Sequence, residues 1–100
     1  MTLNPTDWKT RTELDRLLIR DKRYDEALPN LRGMIMNKPD MSEAHGLIGV
    51  IHYHEGKFAE AQTELETAVR HRPEDLSDLS LFYFVLALVN QERGETGASP

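Results

Sequence analysis

The sequence predicts an all-α fold of about five helices: two helix-turn-helix repeats in series, then a C-terminal helix. Three observations predict it. The chain matches itself without gaps at an offset of 34 residues, pairing Tyr24 with Phe58, Glu26 with Glu60, Ala27 with Ala61, Leu31 with Leu65 and Pro39 with Pro73. Self-similarity at a fixed period of this length marks stacked supersecondary units. Apolar residues recur at helical spacing inside each segment, and glycine and proline stand where helices should stop.

The first helix is expected from about Pro5 to Arg20, with Leu14, Leu17, Leu18 and Trp8 facing inward; Pro5 suits a first helical position. The second runs from about Arg23 to Asn37. Pro29 lies inside it and should remove one backbone bond and kink it, at a cost of up to ~3 kcal/mol. The third runs from Ser42 to His54 on Ala44, Leu47, Ile48, Val50 and Ile51, behind a capping-box pattern of Asp40 and Glu43. Gly56 then supplies the left-handed residue that ends a helix. The fourth places Phe58, Ala61, Leu65, Ala68 and Val69 on one face and stops before Pro73. Gly49 and Ala61 are small where these two antiparallel helices must approach. Asp15 stands at the position of Gly49 in the first pair, which argues against equally close packing there.

The fifth helix is capped by Asp75 or Ser77 and closed by Gly94. Matching Arg93-Gly94-Glu95-Thr96 to Glu55-Gly56-Lys57-Phe58 sets it at an offset of 38 residues. That register lengthens the link after Pro73 by about one turn and puts Tyr83, Leu86 and Ala87 in the places of His45, Ile48 and Gly49. The boundaries are a single domain over 1–96, repeats over about 8–41 and 42–75, the extra helix over about 77–93, and a disordered tail over 97–100.

These residues and their spacing resemble the tetratricopeptide-repeat (TPR) family. The best-matching unit runs from Ser42 to Asp75, with Ile48-Gly49, Gly56, Phe58, Ala61, Leu65, Ala68 and Pro73. Arg11 and His45 stand where the family favours tryptophan. The resemblance implies an α-α superhelix whose first helices line an inner groove, and a non-catalytic adaptor or scaffold that holds a protein or peptide partner. Carried over position by position, the groove comprises Thr12, Arg16, Ile19 and Arg20; Gly46, Val50, Tyr53 and His54; and Phe84, Leu88 and Gln91. Of these, the partner-binding set is Thr12, Arg16, Arg20, Val50, Tyr53, His54, Phe84, Leu88 and Gln91. The lysine–asparagine clamp of the family's heat-shock co-chaperones is absent, since Thr12, Arg16 and Leu47 occupy its places.

From Leu79 to Val89 the fifth helix is apolar almost all round, which implies burial on more than one side. It lines the groove, forms a homodimer contact, or meets further repeats of a longer parent chain. A chaperone for an aggregation-prone client is another reading of the same surface.

Composition excludes other classes. A net charge of -5 and interrupted basic clusters give no face for nucleic acid. With no cysteine there is no thiolate chemistry or cysteine-based zinc site, which fits a reducing, cytoplasmic location. Residues Met1 to Asp7 lack the basic start and apolar core of a signal peptide, and no stretch reaches the ~20 apolar residues of a membrane helix. Neither metal nor cofactor is expected. His52 and His54 point to different faces, and His45 and His52 lie about 10.5 Å apart along the axis. His54-Glu55 begins like His-Glu-x-x-His, but Phe58 stands at the fifth position. With no phosphate loop, nucleotide fingerprint or nucleophile elbow, no enzyme is expected.

Overall fold

A computed structural model describes residues 8–98, with side chains over 9–93. Five helices follow one another: α1 Trp8–Arg20, α2 Tyr24–Asn37, α3 Ser42–His54, α4 Phe58–His71 and α5 Leu76–Ala98. The expectations for Pro5 and the Trp8 side chain lie outside the described residues. Consecutive helices pack on one another, and α3 also touches α1 and α5. It is therefore the central rod, and ten of its 13 residues are buried.

The turns follow the chemistry of the repeat. Gly56 has φ +80°, the left-handed conformation expected of it, and Lys22 takes φ 62° at the equivalent turn of the first repeat. An L-residue there costs roughly 1–2 kcal/mol. Arg72 is also left-handed, and Pro73 is buried just beyond the end of α4. In the second pair, a Cβ on Gly49 would lie 2.6 Å from Leu65 Cγ and 3.2 Å from the Ala61 carbonyl oxygen. The close approach expected at Gly49 and Ala61 is thus present. The first pair packs less closely, with the Asp15 side chain buried between its helices. α2 continues through Pro29, which stands exposed one and a half turns into the helix.

Four expectations need correction. The capping box does not form: the N-cap of α3 is Met41, without a side-chain cap bond. Glu43 is buried, and its carboxylate accepts a hydrogen bond from the Glu74 backbone N–H instead. Ser42 donates to the Ala68 carbonyl at 2.5 Å, so the start of α3 is tied to the end of α4. Second, α5 does not close at Gly94 but runs on to Ala98. Glycine in a helix interior costs only about 1 kcal/mol. Third, since Gly94 ends nothing, it cannot set the register of α5. The links before α3 (38–41) and before α5 (72–75) are equally long, so the offset stays at 34 and the extra turn does not exist. Accordingly Phe82, not Leu86, takes the place of Ile48, and both are buried.

The fourth correction concerns α1. Leu14 and Leu17 are 51% and 53% exposed, while the inward face is formed by Thr12, Asp15 and Leu18. The repeat explains this. Leu14, Ile48 and Phe82 are equivalent positions, as are Leu17, Ile51 and Val85. In α5, whose helix contacts are with α3 and α4, this face is buried, so it is the face turned toward the preceding helices. α1 has no described helix before it, and the same face is left open.

Candidate interaction surface

The groove residues inferred for α1 and α3 are largely engaged within the fold. Thr12 is buried, and its hydroxyl donates to the Lys9 carbonyl at 2.8 Å. The Phe82 ring covers Gly46, and Val50 is buried. Arg16 Nη2 donates to Asp78 Oδ2 at 2.5 Å and also lies against Oδ1, which joins α1 to α5 across the edge of α3. Arg20 is exposed in the last turn of α1.

Tyr53 and His54 sit at the turn end of the stack in a cluster with two residues that are themselves a repeat pair. His54 stacks on Tyr24 with ring centres 5.9 Å apart and planes 8° apart. Tyr53 meets His54 edge-on at 5.4 Å and Phe58 at 5.9 Å. Tyr53 is half-buried against the core, so only His54 of this pair is well exposed. Desolvation, helped by the Glu55 charge, raises the Tyr24 pKa.

Beside the Arg16–Asp78 pair lies a cleft of about 530 Å³, where Glu13, Glu43, Glu74, Asp75 and Asp78 face Lys9 and Arg16. Burial raises the pKa of Asp78 against the opposing pull of Arg16. Asp15 lies deeper, between α1 and α2. Desolvation raises it to about 6, although Asn30 donates to its Oδ1 at 3.3 Å and Arg11 lies near. Its Oδ2 has no hydrogen-bond partner. Among the described residues no three histidine or carboxylate side chains gather as a ligand set for a metal ion, and no helix is long and apolar enough to cross a membrane.

α5 differs from the other helices. Its buried stripe is Asp78, Phe82, Val85 and Val89. On the opposite face Phe84 is 61% exposed, with Leu88 half-buried one turn on and Gln91 exposed two turns on. These three sequence-inferred residues therefore share one surface, apart from the Tyr53–His54 cluster. Leu76, Leu81 and Tyr83 are also exposed on α5 and had been missed. The 38-residue register equates Tyr83 with the half-buried His45; at the 34-residue offset it stands instead at Gly49, on the side that α3 turns to α4, and no described helix follows α5 to cover that side. Between Leu76 and Gln91 the one charged residue is Asp78, and it is buried. The result is a neutral, apolar helix face about four turns long.

Comparison with known proteins adds one match. The family model described as tetratricopeptide repeat matches residues 18–82. No curated protein matches the chain, and no solved structure does.

Proposed function

Because the chain belongs to the tetratricopeptide-repeat family, whose repeats generally mediate protein–protein interaction, we propose that it is a non-catalytic binding module that receives a partner helix on the outer face of α5. The single observation that carries this reading is the exposure of Phe84 together with Leu76, Leu81 and Tyr83 around the uncharged outer side of α5. Isolated exposed apolar side chains are ordinary, but a contiguous patch of them marks an interface. Leu88 and Gln91 extend the surface, and Ser77, Ser80 and Ala87 leave hollows between the larger side chains. A partner helix with apolar anchors at i, i+3 and i+4 would fill these gaps. The family's inner groove supports binding less well here, because Thr12, Gly46, Val50 and Arg16 are covered or paired.

Affinity capture with the intact chain and with Phe84→Asp tests the proposal. The variant should lose the captured protein while circular dichroism reports unchanged helicity, since Phe84 is largely outside the core. An identical captured set from both proteins would refute it.

A further inference from the structure

The two ends of the stack expose faces that bury each other inside it. At the α1 end these are Leu14 and Leu17, which stand where α3 has Ile48 and Ile51 and α5 has Phe82 and Val85. Those four are buried, whereas Leu14 and Leu17 are half exposed. At the other end, α5 presents Ser80 and Phe84 at the positions of Gly46 and Val50. In α3 both positions are buried, and Gly46 receives Phe82 of the following first-type helix. One end therefore carries an unused knob face, and the other an unused receiving face.

The receiving face is selective. α3 takes two neighbours on its outward side: α4, which comes close at Gly49, and α5, which packs over Gly46. In α5 the position of Gly49 is Tyr83. A single Cβ at Gly49 already lies within 2.6 Å of Leu65, so a phenol ring there excludes a helix docked like α4. Ser80 at the position of Gly46 remains small. A first-type helix can therefore approach, provided that its knob is smaller than the Phe82 ring, because Ser80 has the Cβ that Gly46 lacks. Leu14 meets that requirement.

From this we propose that α5 of one copy receives α1 of a second copy, head to tail, with Leu14 and Leu17 laid over Ser80 and Phe84. The inference rests on the reading of α5 as the docking face and names its occupant. The receiving face carries no charge, so the acidic chain meets no like charge at the contact itself. Such a contact is isolated helix against helix, at the small end of interface sizes, below about 1,200 Å² in total, and it is therefore weak and concentration-dependent. It is also heterologous: each added copy leaves one knob face and one receiving face free, so growth does not stop at a dimer unless the rotation closes a ring.

Light scattering after size exclusion, over a rising concentration series, tests this with the whole chain. The expected result is a mass that climbs past the dimer. Leu17→Asp spoils the knob face and Phe84→Asp the receiving face, so each variant alone stays monomeric. Mixed in equal amounts they form a dimer and stop there, since one intact face of each kind remains. Leu14→Asp and Ser80→Asp serve as the second pair, Ser80 being exposed at the position of Gly46, with helicity checked by circular dichroism. A wild-type chain that is monomeric throughout overturns the inference, as does a mixture that stays monomeric while the wild type associates. Association that survives Leu17→Asp but not Phe84→Asp also overturns it, since that is pairing of α5 with α5. If self-association fails while Phe84-dependent capture of another protein persists, only the identity of the occupant is wrong. If capture is also insensitive to Phe84, the docking face itself is wrong.

Discussion

Phe82 of α5 rests its ring directly on Gly46 of α3, so closely that a Cβ there would overlap three ring carbons. Phe82 is fully buried, and this contact fixes how the last helix sits on the central one. Alanine ordinarily stabilises a helix relative to glycine by about 1 kcal/mol. Here overpacking should outweigh that gain, and Gly46→Ala is expected to destabilise the fold by about 1–3 kcal/mol. Gly33→Ala is the control: with nothing within 4 Å of its Cβ position, the propensity gain should appear in full, at about 1 kcal/mol. Urea unfolding followed by circular dichroism measures both. Two stabilised variants would mean that the ring does not lie on Gly46.

Asp15 should make stability fall as pH rises. Its folded pKa is about 6 against an ordinary 3.8, because burial disfavours the carboxylate. The fold thus holds a proton more tightly than the unfolded chain does. The stabilising contribution is complete below pH 3.8, is lost as pH climbs to about 6, and stays lost above. A shift of this size corresponds to about 3 kcal/mol. Asp15→Asn mimics the protonated form. It is expected to be more stable than wild type by about 2–3 kcal/mol at pH 7, with the advantage fading toward pH 4. Asp78, also raised by burial, contributes in the same direction, so the variant's slope is reduced rather than flat. An advantage independent of pH would assign the effect to something other than ionisation.

The Arg16–Asp78 pair should respond unequally to loss of its two members. Asp78 is 2% exposed and Arg16 30%. Arg16→Met strands a buried carboxylate and is expected to cost about 3 kcal/mol. Asp78→Asn leaves an arginine that can turn to solvent, and should cost clearly less. Denaturant midpoints of the two variants at pH 7 decide it, and equal losses would contradict the burial asymmetry. For the same reason a charge reversal at Arg16 tests folding before it tests binding.

The proposed binding surface was only partly legible in the sequence. Phe84, Leu88 and Gln91, which share the exposed side of α5, were named through a 38-residue register that the structure does not keep. Tyr83 was not named because that register equates it with His45, which is half-buried. Thr12, Arg16 and Val50 follow the family's groove positions, but position along a helix does not reveal whether a neighbour covers it. The Arg16 partner lies 62 residues away, beyond any local pattern.

The sequence by itself determined the helix count, the 34-residue unit, the left-handed turn at Gly56 and the approach of α4 to Gly49. Each of these depends on backbone sterics or on spacing within one repeat, and both are written locally. Only the tertiary structure decided which apolar faces are inside. Leu14, Ile48 and Phe82 occupy one position of the repeat, yet the first is half exposed and the others buried. Helical periodicity specifies a face, but burial requires a second helix to cover it. At the two ends of the stack no described helix supplies that cover.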